Sequence, residues 1–101
     1  MTLELEKQIK SIVSDSDYRK GVSYPKYYIE SNGYHVEDGK IYFSFRVESE
    51  TSYQKYDVGF VKNGNKFGMG CSCPQFYRFD SCKHVAACLY NYGHLMFEFD
   101  L

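Results

Sequence analysis

The chain contains no tryptophan, has only two prolines among its 101 residues, and holds no apolar run near the length of roughly 20 residues that crosses a bilayer. A membrane-spanning helix is therefore excluded as a reading. Its first residues, MTLELEKQIK, lack the basic region and apolar block of a secretory leader, so the cytoplasm is the expected compartment. There thiols stay reduced, and clustered cysteines are read as ligands rather than disulfide partners. An excess of one charge is also missing. Twelve basic and 13 acidic residues leave a formal net charge of -1 and a pI of about 6.3, so nothing global draws the chain to phosphate backbones. No G-x-x-x-x-G-K-[ST] loop occurs, and no nucleophile, base and orienter form a group. The expectation is a chain that is not an enzyme and takes no small-molecule substrate.

What the sequence does have is aromatic mass: 11 tyrosines and 8 phenylalanines in a chain that is 44% hydrophobic, with no low-complexity tract. That composition belongs to a folded domain, and the length allows one modest core that a structural metal would help materially. In TLELEKQIKSIV, Leu5, Ile9, Ile12 and Val13 fall on one helical stripe, with Thr2 as a candidate N-cap. DYRKGVSYPKYYIE reads as a short broken helix or turn, because Gly21 and Pro25 interrupt it. Beyond Asp38-Gly39, a hairpin signal, Ile41, Phe43, Phe45 and Val47 alternate onto one face. Tyr56, Val58 and Phe60 alternate likewise before a second turn signal at Asn63-Gly64. From Lys66 a further strand carries Phe67, Met69, Cys71 and Cys73 at successive i+2 positions. Val85, Cys88, Leu89 and Tyr92 then mark a helix, with Ser81 as its expected N-cap and Gly93 as its stop. The fold class is α+β: a small antiparallel meander of three or four strands between an N-terminal and a C-terminal helix. The division is one domain over 1–101, with a helical lead-in at 1–35, the meander at 36–70, a cysteine-rich segment at 71–92 and a tail at 93–101. The apolar tail HLMFEFDL is expected either to dock on the domain or to continue into a longer protein.

The segment CSCPQFYRFDSCKH, residues 71 to 84, supplies Cys71, Cys73, Cys82 and His84 as C-x-C, eight residues, then C-x-H. Zinc takes four soft or borderline ligands in a tetrahedron, and two pairs joined by a loop at 74–81 provide its two edges. A closed Cys3His set leaves no open position, so one structural Zn2+ is expected rather than a catalytic one. With three thiolates and a neutral imidazole the site carries about -1, taking the domain to about -2. The competing reading is a set of buried core cysteines without metal. Cys88, four residues after His84, is read as core because it shares the stripe of Val85 and Leu89. His35 and His94 are read as solvated or locally bonded.

The series Cys71-x-Cys73-Pro74 and Cys82-Lys83-His84, followed by the small residues Ala86 and Ala87, resembles the SWIM zinc finger. The segment YRKGVSYPKYYIESNGYHV more loosely resembles the region preceding that finger at the N-terminus of bacterial Swi/Snf-type helicases. The resemblance implies a recognition or targeting module for a DNA-dependent ATPase, with Cys71, Cys73, Cys82 and His84 as the zinc ligands. A fragment of an ATP-dependent helicase is one implication, and DNA or a protein the expected partner. For nucleic acid, the candidate contacts are Lys62, Lys66, Arg78 and Lys83, with Phe76 and Tyr77 beside them and Phe79 close by. An ordinary solvated face is the alternative for these charges, and a zinc-stabilised protein-interaction domain is the alternative function.

Overall fold

A computed structural model describes residues 3–99 as α1 (Leu3–Ile12), α2 (Asp15–Val22), a 3₁₀ turn (Lys26–Tyr28), β1 (Ile29–Glu37), β2 (Lys40–Glu48), β3 (Lys55–Asn63), β4 (Lys66–Cys71), α3 (Pro74–Phe79) and α4 (Lys83–Glu98). The strands form one antiparallel sheet in the order β1-β2-β3-β4. This is the expected α+β meander, with four strands. The alternation in β2 buries Ile41, Phe43, Phe45 and Val47, and β3 adds Val58 and Phe60 to the same core. Helix α4 covers that face, and α1 and α2 pack on α4. Leu5 and Ile9 are buried, as their stripe requires. The expected cap Thr2 lies outside the described residues, as do residues 100 and 101 of the tail.

Several boundaries differ from the sequence reading, each for a local reason. Gly21 does not interrupt α2. It lies within the helix, where a Cβ would stand 2.6 Å from the Ala86 Cβ and 2.7 Å from backbone atoms of Ala86 and Ala87, so its missing side chain lets two helices touch. Strand β1 begins at Ile29, inside the segment read as lead-in. Only Ile29 of its nine residues is buried, which leaves no alternation to detect, and its pairing with β2 is broken by a bulge between Ser31 and Tyr34, with Gly33 at φ 83°.

Asp38 and Gly39 both have positive φ, as a type I′ turn demands. At the other hairpin the turn residues are Gly64 and Asn65 rather than Asn63 and Gly64. Asn63 pairs with Lys66, and only Gly64 has positive φ, the type II′ requirement. Gly93 does not stop α4, which runs on to Glu98 and buries Met96 one turn later. A Cβ at Gly93 would meet Leu5 and Phe97 only at ordinary contact distances.

Candidate metal centre

β4 delivers the first ligand pair. The Ser72 N–H donates to the Asp57 carbonyl (3.0 Å), and the Asp57 N–H donates to the Ser72 hydroxyl (2.9 Å). The chain therefore stays tied to β3 between Cys71 and Cys73. Cys73 then ends the extended segment as the N-cap of α3, its sulfur accepting from the Phe76 N–H (3.4 Å), with Pro74 at the start of the helix. The expected open loop at 74–81 is thus partly helical. Asp80, at φ 54°, closes that turn in the left-handed region, where a short polar side chain is tolerated.

The second pair comes from the start of α4. Its N-cap is Cys82, not Ser81: the Cys82 sulfur accepts from the Val85 N–H at 3.5 Å. Ser81 instead turns toward α2 and donates to Asp17. Two of the three clustered sulfurs therefore receive a helix-terminal N–H, which offsets part of the cost of burying a thiolate.

One ligand atom from each of Cys71, Cys73, Cys82 and His84 lies within 4.8 Å of all the others. A tetrahedron with zinc–sulfur arms of about 2.3 Å has edges of about 3.8 Å, so small side-chain adjustments close the site. Cys73 and Cys82 are buried, and His84 is 5% exposed. The imidazole is held between Tyr24, edge-on at 5.7 Å, and Tyr56, tilted at 4.9 Å. Tyr24 is fixed in turn by its hydroxyl, which donates to the Glu48 carbonyl. Nδ1 of His84 stands 3.9 Å from the Cys71 sulfur, while its Nε2 is buried with no hydrogen-bond partner among the described residues. Nδ1 is the ring nitrogen beside a thiol, so the imidazole is placed to share a cation with Cys71.

The neighbouring Cys71 thiol and burial push Cys82 up from 9.0 to about 12, and burial raises Cys73. Buried without a cation, Cys73 and Cys82 keep their protons, whereas a dication inverts that preference. The residues present therefore fit a metal ion. Cys88 is fully buried with Val85 and Leu89, and is not one of the four clustered donors.

Of the residues expected to meet nucleic acid, Lys62 and Lys66 line one cavity at the β3–β4 turn, while Arg78 and Lys83 belong to the segment that carries the ligands. The Lys62 ammonium donates to the Phe97 (2.7 Å) and Phe99 (2.5 Å) carbonyls, and so caps the end of α4. Lys83 pairs with Glu50 at 3.6 Å. Lys66 opens β4, five strand residues and about 17 Å of extended chain from Cys71. Arg78 lies in the segment between the two ligand pairs, its guanidinium 5.9 Å from the Phe79 ring. Around it Tyr77 is 92% exposed and Phe79 67%, while Phe76 packs partly against the core. His35 stacks on Tyr42 at 4.8 Å, and His94 is exposed.

Sequence reasoning passed over Asp17. A carboxylate in the polar run SDSDYRK reads as surface, yet it is buried against the 74–81 segment. The S-x-x-D spacing of a helix start, Ser14 to Asp17, was the available signal. Comparison with protein-family models, curated proteins and solved structures finds no match to this chain.

Proposed function

We propose that this chain is a zinc-stabilised recognition domain of SWIM type, in which Cys71, Cys73, Cys82 and His84 hold one structural Zn2+ and α3 meets a protein partner. The observation that carries the zinc reading is the gathering of four donor atoms, one each from Cys71, Cys73, Cys82 and His84, within 4.8 Å of one another. Four protein ligands complete the tetrahedron, so the ion's task is to fasten β4 to α4. By the SWIM resemblance, the partner belongs to the machinery of a Swi/Snf-type DNA-dependent ATPase.

A protein partner is favoured over DNA by the state of the basic residues. Lys62 and Lys83 are engaged within the fold, and Lys66 lies at the far end of β4 from Cys71. What the metal segment offers outward is Tyr77 and Phe79 with one guanidinium, a composition suited to an interface anchor. Single-stranded nucleic acid is the second reading, favoured by the same exposed rings, on which bases stack.

The zinc reading is tested by counting metal in the purified full chain. One zinc per chain is expected, and chelation should lower thermal stability sharply, since structural zinc contributes on the order of 10 kcal/mol in small fingers. A metal-free protein whose melting is unaffected by chelator overturns it. Titration with single-stranded and duplex oligonucleotides at low salt then separates the partners. No binding is expected. Salt-sensitive binding that is lost in Tyr77→Ala or Arg78→Ala replaces the protein reading with the nucleic-acid one.

A further inference from the structure

Asp17 is only 4% exposed, and the zinc reading makes no use of it. Its carboxylate collects three side-chain donors: Ser81 Oγ at 2.7 Å and Ser14 Oγ at 2.9 Å on Oδ2, and Gln75 Nε2 at 2.9 Å on Oδ1. In an ordinary capping box the third helical residue reaches back to the N-cap N–H. Here Ser81 is interposed: its hydroxyl accepts the Ser14 N–H (3.2 Å) and donates to Asp17. The N-terminus of α2 has thus taken a residue of the metal segment into its own cap.

The sequence positions of the two outside donors matter. Gln75 follows Cys73 by two residues, and Ser81 immediately precedes Cys82. One carboxylate therefore holds both ends of the segment that separates the two ligand pairs. Burial pushes the Asp17 carboxyl up, but the donors from Ser81, Gln75 and Ser14, with the charge of Lys20, outweigh it and hold it below its ordinary value. At neutral pH it is an anion, and its hydrogen bonds are of the stronger, charge-assisted kind.

We propose that Asp17 is a positioning residue for the metal centre, fixing residues 74–81 through Gln75 and Ser81 so that Cys82 and His84 stay in reach of Cys71 and Cys73 when metal leaves. The inference rests on the zinc reading and deepens it, by making metal release depend on helix α2. Outer-shell partners of metal ligands typically alter affinity about 10- to 100-fold, and Asp17 acts through the segment bearing the ligands, so the lower end, about 10-fold, is expected.

The test follows zinc release from the loaded full chain into excess chromophoric chelator, for wild type, Asp17→Ala, Asp17→Asn, Ser81→Ala and Gln75→Ala, with Ile9→Val as a packing control. Asp17→Ala should release zinc about 10-fold faster, Ser81→Ala and Gln75→Ala by intermediate factors, and Ile9→Val at the wild-type rate. Asp17→Asn keeps an acceptor for Gln75 and should recover part of the difference. Wild-type release from Asp17→Ala, or equal acceleration by Ile9→Val, overturns the inference. If Asp17→Ala does not fold, unchanged rates in both Ser81→Ala and Gln75→Ala overturn it instead. A wild-type chain that binds no zinc removes the zinc reading and this inference together. Zinc-loaded wild type with unaltered release in the Asp17, Ser81 and Gln75 variants removes this inference alone.

Discussion

Replacing Gly21 with alanine sets two known effects against each other. Alanine is the better helix former by about 1 kcal/mol in a helix interior, so propensity alone predicts a more stable protein. Packing predicts the reverse. The added Cβ would lie 2.6 Å from the Ala86 Cβ, 2.7 Å from the Ala86 carbonyl carbon and 2.7 Å from the Ala87 nitrogen. Comfortable carbon contacts are about 3.5–4.0 Å, so the helices must part by about 1 Å. Two of the three obstructing atoms belong to backbone and cannot rotate aside. Overpacking of this kind costs about 1–3 kcal/mol, and the rigidity of the obstruction puts Gly21→Ala at the upper end. After the propensity gain is offset, a net loss of about 2 kcal/mol remains, equivalent to a fall of roughly 10 °C in Tm for a domain of this size. Urea unfolding with zinc bound is the assay, and the midpoint should drop while the slope stays constant. Because Ala86 lies two residues after His84, the shift should also weaken zinc binding. A variant as stable as wild type, or more so, refutes the α2–α4 contact as described.

Cys88→Ala should keep one zinc per chain and lose about 1 kcal/mol of stability, measured by metal content and urea unfolding; metal loss equal to that of Cys71→Ser makes Cys88 a ligand. Lys62→Met should lower stability by about 1–2 kcal/mol, because two charged hydrogen bonds at the end of α4 disappear, and should leave partner binding unchanged. Unaltered stability would free Lys62 for an external contact. Zinc binding near neutral pH should expel protons from the thiols, read by calorimetry in buffers of different ionisation heat, and affinity should fall as pH falls. For the metal-free fold the sign reverses. The Cys82 thiol is raised from 9.0 to about 12, so its contribution is intact below pH 9 and is lost as pH rises toward 12.

The parts of the fold that the sequence announces are those where one residue type does one local job. Asp38-Gly39 marks its turn, and Ile41 to Val47 alternate because one face of β2 is buried and the other wet. The four donors are legible because their spacing is covalent. β1 is silent, since its neighbours bury only Ile29 and the rest of the strand has no apolar face to display. Gly21 and Gly93 mislead for the opposite reason. A glycine's local reading is flexibility, but here α4 at Gly21 and the side chains of Leu5 and Phe97 at Gly93 occupy the neighbouring space. Asp17 and Lys62 look solvated because their partners, at residues 75, 81, 97 and 99, are remote in sequence.

The placement of α4 also sets a timetable for a chain emerging from the ribosome. Every strand pair joins neighbours in sequence, so the sheet's hydrogen bonds are available as soon as residue 71 has been made. Helices α1 and α2 come first, yet the surfaces that Ile9 and Gly21 need belong to α4. At about 5–20 residues per second their apolar stripes wait several seconds without a partner. Cys71 and Cys73 likewise precede Cys82 and His84, so under the zinc proposal a four-ligand capture of the ion would coincide with the arrival of the first turn of α4. If zinc fastens these ligands as proposed, its scarcity would lengthen that interval, and the earliest-made helices would be the ones left open to chaperones and proteases.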